Sequence, residues 1–170
     1  MSWRLLGAVM IVVSCGIIGY LSAFRYKQTI LTLQQLMNAL NIMECELLYR
    51  LMPLPELLLK VSQTNTGLIG MVCKQLIQEL ESQISPNVSR CMGVTLEKIK
   101  GLPECTAELL KELGQSLGKY HLEGQLLGIA AVRKKCQGKI EAMEKDQDGR
   151  LQRYQMFGLC AGAVIVILLI

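Results

Sequence analysis

Residues 30–55 read ILTLQQLMNALNIMECELLYRLMPLP, an apolar helical run that stops at two prolines set two apart. Apolar side chains fall at Leu33, Leu36, Met37, Leu40, Met43, Leu47 and Leu51, the spacing of one helix face, with a seam repeating every seven at Leu33, Leu40 and Leu47. Glu44, Glu46 and Tyr49 sit inside this run. Two residues apart on a helix means about 200° around its axis, so the two carboxylates cannot act together as an acid pair. The geometry predicts that one of them faces the bundle interior and bonds a second helical arm, while the other is free for solvent or a partner. Pro53 and Pro55 end the helix, because a proline lacks the amide hydrogen and clashes with the preceding turn.

Upstream lies Leu5 to Phe24, LLGAVMIVVSCGIIGYLSAF, without a charge and about the length a helix needs to cross the hydrocarbon layer. Two rival readings exist for this segment, a cleaved secretion signal and a lipid-attachment box at Val12-Val13-Ser14-Cys15. Against both, the apolar run continues well past Cys15 through GIIGYLSAF. With no proline before residue 53, the run and the seam form one long helix rising about 1.5 Å per residue.

A second arm mirrors the first. Leu122, Ile129, Cys136 and Met143 recur every seven, flanked by Leu126 and Ile140, and no proline follows residue 103. The polar KDQDGR stretch then precedes MFGLCAGAVIVILLI (156–170), and Gly149 is the point where that helix is expected to loosen. Neither arm can hide its apolar stripe alone, so the two should pack antiparallel. Between them, PELLLKVSQ, LIGMVCKQLIQELESQI and ECTAELLKELGQSLG read as helices separated by TNTG, SPN and GLP, with VSRCMGVTLEKI a short segment. No stretch alternates with period two. The expectation is an all-α, membrane-anchored bundle of about six helices with N- and C-terminal transmembrane helices: residues 1–24 a span, 25–153 a cytoplasmic bundle, 154–170 a second span. Arg25 and Lys27 after the first span, and Lys145, Arg150 and Arg153 before the second, place the bundle in the cytoplasm; Arg4 alone argues otherwise.

Function classes narrow quickly. Among seven cysteines there is no CxxC pair, and one histidine leaves little basis for a metal site, so no cofactor is expected. Gly114-Gln115-Ser116-Leu117-Gly118 fits G-x-S-x-G in letters, with His121 nearby, but a nucleophile elbow needs a strand before the serine and a helix pattern stands there. No phosphate-binding G-x-x-x-x-G-K-[ST] loop occurs. Arg133-Lys134-Lys135 with Lys139 forms a basic patch, yet Glu141 and Glu144 follow and the net charge is only +4, which reads as a solvated helix face and not a nucleic-acid site. Gly158 and Gly162 give a GxxxG, and Gly19 with Ala23 a small-xxx-small pair, spacings that let helices approach closely in lipid, including those of a second copy.

MECELLYRLMPLPELL, ELGQSLG with Gln125 soon after, and the closing FGLCAGAVIVILLI together resemble the stage III sporulation protein AB family. The family is similar to the cytoplasmic helical domain of the type II secretion platform protein. The resemblance implies a non-enzymatic platform in the mother-cell membrane facing the forespore. It would work with other stage III sporulation proteins and dock the assembly's cytoplasmic ATPase. By matching position it marks Glu44, Glu46, Tyr49, Pro53 and Leu54 as a first family motif and Gly114, Leu117, Gly118 and Gln125 as a second.

Overall fold

The computed structural model describes the backbone of residues 2–50, 52–82, 87–117 and 121–169, and the side chains of 24–50, 52–82, 87–117 and 121–145. Six α-helices and no strands occur among the described residues: α1 (Ser2–Arg50), α2 (Leu54–Thr64), α3 (Leu68–Glu81), α4 (Val88–Lys98), α5 (Glu104–Ser116) and α6 (Leu122–Leu169). VSRCMGVTLEKI is a full helix, because Asn87 caps it: Oδ1 accepts from the backbone amides of Ser89 (3.1 Å) and Arg90 (3.3 Å). α6 runs through Gly149 without a break.

The chain divides into two compact units, Met1–Ile30 with Glu141–Ile170, and Leu31–Ile140. In the first, the Tyr26 hydroxyl donates to the Met143 carbonyl at 2.8 Å, tying α1 to α6. Both expected spans fall on this unit, and apart from Phe24 their side chains lie outside the described residues. Among the described residues no helix is long and apolar enough to cross a membrane.

The second unit carries the core. Leu33, Leu36, Leu40 and Met43 from α1 are buried, with Leu57, Leu58 and Val61 of α2, Ile69, Val72 and Leu76 of α3, Leu109, Leu110 and Leu113 of α5, and Ile129, Val132 and Cys136 of α6. The α1 seam is buried at all three heptad positions. On α6 only the middle of the seam is: Ile129 and Cys136 are fully covered, whereas Leu122, Leu126 and Ile140 are half-exposed. Where the arms meet within this unit, the Cys136 thiol donates to the Leu33 carbonyl at 3.4 Å.

Local chemistry sets each turn. Pro55 stands in the first turn of α2, where a missing amide hydrogen costs nothing, and the Leu57 amide closes that turn on the Pro53 carbonyl at 3.0 Å. Between α4 and α5, Gly101 adopts φ +89°, a left-handed conformation that side-chain-bearing residues rarely reach. Asn65 after α2 is buried; its amide group donates to the Val61 carbonyl at 3.2 Å while its Oδ1 accepts from Asn38 of α1 at 3.2 Å. This pins the α2–α3 turn to the first arm.

Candidate functional site

The distal end of α1 holds the first motif. Glu44 and Glu46, on nearly opposite sides of the helix, reach different neighbours. Glu44 accepts from the Arg133 guanidinium of α6, the cross-arm bond the spacing predicts. Glu46, in contrast to the expectation, is not open to solvent or a partner. Its Oε1 accepts from Lys60 of α2 at 2.5 Å, and Arg50, one turn on, places Nε 3.7 Å from Oε2. That second oxygen is buried and has no hydrogen bond, so Arg50 acts on it through charge alone. The Lys60 hydrogen bond is the main cause holding the Glu46 carboxyl below its ordinary 4.5; burial opposes it, and the charges of Lys60 and Arg50 reinforce it. Glu46 is therefore the bolt of the α1–α2 corner. Sequence spacing hid this, because Lys60 lies on the next helix and beyond two prolines.

Tyr49 points outward and is 85% exposed, with Leu48 beside it at 52%. Pro53 is exposed and Leu54 half-buried at the corner. This motif thus combines two anchored carboxylates with an unanchored aromatic ring.

The second motif is a packing device. An added Cβ on Gly114 would lie 2.8 Å from the Met92 Cβ, so the glycine is what lets α5 approach α4. Leu117 is buried and its amide closes α5 on the Leu113 carbonyl at 3.0 Å. Gly118 lies outside the described residues. Ser116 is half-buried against α6, where an added Cβ on Gly128 would stand 2.3 Å from the Ser116 Cβ, and its hydroxyl donates to the Glu112 carbonyl at 3.4 Å. With a helix before it and its hydroxyl turned to its own backbone, Ser116 has the setting of a packing residue. Gln125 is half-buried in the first turn of α6, its amide bonded to the His121 carbonyl at 3.1 Å.

The basic patch lies on a solvated face of α6, as the sequence suggested, and three of its four cations are ion-paired there. Arg133 serves Glu44, Lys135 reaches Glu112 at 2.5 Å and Lys139 reaches Glu108 at 3.1 Å. Glu108 and Glu112 are one turn apart on α5, as Lys135 and Lys139 are on α6, so the pairs form an antiparallel ladder fixing the register of the two helices. Each rung is largely exposed and contributes little to stability, at most about 1 kcal/mol. Elsewhere Glu79 of α3 accepts from Lys98 of α4 and from Gln75 at 3.2 Å, which lowers its carboxyl as well, Lys98 being the larger cause.

The cysteines divide by burial. Cys45 is exposed beside Leu48 and Tyr49, whereas Cys73, Cys91 and Cys136 are buried. Burial pushes the Cys73 thiol up to about 12; burial and then the nearby Cys105 push Cys136 up to about 11. Among the described residues no group of three or more His, Cys, Asp or Glu side chains could hold a metal ion.

A family model described as stage III sporulation protein AB matches residues 4–170. Among solved structures, one of a stage III sporulation protein AB aligns with a TM-score of 0.61 at 17% identity, over 72% of this chain and 98% of that one, a likeness of fold. No curated protein matches.

Proposed function

We propose, from the premise that the chain belongs to the stage III sporulation protein AB family, that it is a structural component of the stage III sporulation assembly that docks the assembly's ATPase. It acts without chemistry of its own. The match over residues 4–170 is the observation that carries this reading. The sequence supports its membrane part: two uncharged runs, 5–24 and 154–170, would anchor the chain in the mother-cell membrane facing the forespore. The cations at Arg25, Lys27, Lys145, Arg150 and Arg153 favour keeping residues 25–153 in the cytoplasm.

In this reading Gly19, Ala23, Gly158 and Gly162 let the spans pack closely with each other or with a second copy. Glu44, Glu46, Pro53 and Leu54 build the corner, Tyr49 is offered to a partner, and Gly114, Leu117, Gly118 and Gln125 are kept as a second family motif. Among the described residues, the ion pairs cross between helices at α1–α2, α1–α6, α3–α4 and α5–α6. That bracing suits a rigid platform against which another protein works.

The test is co-purification from sporulating cells of the full chain, crosslinked in its membrane and then solubilised. The expected result is recovery of the assembly's ATPase in a defined adduct. Its absence, with other stage III proteins recovered, would remove the docking role.

A further inference from the structure

The outward face of α1 over its last two turns carries Cys45, Leu48 and Tyr49, which share the i, i+3, i+4 spacing of a single helical surface. Cys45 is exposed, Leu48 is 52% exposed and Tyr49 is 85% exposed. The corresponding inward face is the buried seam of Leu40, Met43 and Leu47, so this second apolar stripe contributes nothing to the core. Residues in water at such positions are ordinarily polar, and a compact group of large exposed apolar side chains marks an interaction surface.

What borders the stripe decides its partner. Glu44 flanks it on one side and Glu46 on the other, as their separation around the helix requires. Each carboxylate is withdrawn beneath a more exposed cation. Arg133 is 40% exposed over Glu44 at 24%, while Lys60 at 38% and Arg50 at 64% lie over Glu46 at 14%. Three cations against two sunken anions give the rim a surplus positive charge, presented outward. The nearest exposed acid along α2 is Glu56, one turn before Lys60, and it does not cover Arg50 or Arg133 by any ion pair among the described residues.

We infer that the distal α1 face of Cys45, Leu48 and Tyr49, rimmed by Arg50, Lys60 and Arg133, docks a protein segment of apolar side chains interleaved with carboxylates. Tyrosine and arginine are the residue types that most often dominate interface energetics, and here they adjoin. The cationic rim steers an acidic segment and rejects a basic one, while the apolar centre supplies the burial. A second copy is disfavoured by the same reasoning, since two such faces would set cation against cation. This inference rests on the scaffold reading and names the surface and partner chemistry that reading leaves open.

The experiment uses the full chain in sporulating cells with the photoreactive substitution Tyr49→p-benzoylphenylalanine, beside a strain carrying it at exposed Lys111 on α5. The expected result is a protein adduct at position 49 whose crosslinked peptide interleaves apolar residues with Asp or Glu. Combining Leu48→Ala with Arg50→Gln should reduce the adduct about tenfold or more. Both replaced side chains are more than half exposed, so the melting temperature of the doubly substituted chain should stay close to the parent's and exclude a folding defect. An adduct with phospholipid, with another copy of this chain, or with a segment lacking carboxylates overturns the inference, as does an adduct indifferent to the two substitutions. No adduct at position 49 while the ATPase still co-purifies removes this surface and leaves the scaffold reading standing. Failure of both removes both.

Discussion

Two glycines with the same substitution should respond with opposite sign. Gly138 lies in the exposed interior of α6, and an added Cβ there would meet nothing within 4 Å. Gly138→Ala therefore gains only helix propensity, up to about 1 kcal/mol. Gly114 lies in α5, and the same methyl would stand 2.8 Å from Met92 Cβ and 3.0 Å from its Cγ. Because the Met92 Cβ is fixed to its backbone, α4 and α5 must separate, an overpacking cost of about 1–3 kcal/mol. With the full propensity gain of about 1 kcal/mol set against it, Gly114→Ala should still lose up to about 2 kcal/mol. For a unit of this size that is up to roughly 10 °C in melting temperature, against a rise of a few degrees for Gly138→Ala.

The assay is the melting of the full chain in detergent, followed by far-ultraviolet circular dichroism. Met92→Ala alone should destabilise, since Met92 is buried. The double variant should be less destabilised than the sum of the two singles, because the methionine's outer atoms are then absent from the clash. A Gly114→Ala as stabilising as Gly138→Ala would refute the reading of the G-x-S-x-G segment as a packing device.

The arm seam and the acid-sensitive corners give further tests. Leu40 is fully buried, and Leu40→Ala should cost about 2–5 kcal/mol by the same melting assay; a cost under about 1 kcal/mol would mean the seam is not core. Glu46 and Glu79 both have carboxyls held below the ordinary 4.5, so their contribution to stability is fully present above that value and is lost as pH falls through their folded values. Melting temperature should thus fall on acidification below about pH 4.5, and Glu46→Gln with Glu79→Gln should flatten that acid limb. An unchanged limb would place the acid sensitivity in other groups.

The long arms were legible in the sequence because heptad spacing and the absence of proline act over many residues. The buried Leu33, Leu40 and Leu47 follow from that spacing directly. That one of the two carboxylates bonds the second arm was also legible, but not which of them; it is Glu44, paired with Arg133 of α6. The role of Glu46 was not, because its partner Lys60 is set by how the chain turns at Pro53 and Pro55, a matter of three dimensions. α4 was underread as well. Its apolar pattern is short, and the Asn87 cap that starts it reads in the sequence only as part of the SPN break. The α5–α6 ladder had a visible signal in Glu108/Glu112 and Lys135/Lys139, each pair one turn apart, but the pairing shows only once the helices are placed side by side.

The central claim is that residues 25–153 form a platform on the cytoplasmic side of the mother-cell membrane, and Cys45 reports on it directly. Its thiol is exposed, whereas those of Cys73 and Cys136 are buried and shifted up to about 12 and about 11, so a maleimide that needs the thiolate reacts at Cys45 far ahead of them. Protoplasts of sporulating cells, intact or lysed in detergent, are treated with a membrane-impermeant maleimide, and the Cys45 peptide is read by mass spectrometry. Labelling of Cys45 only after lysis is the predicted result. Labelling in intact protoplasts would put the bundle outside the membrane and contradict the platform account.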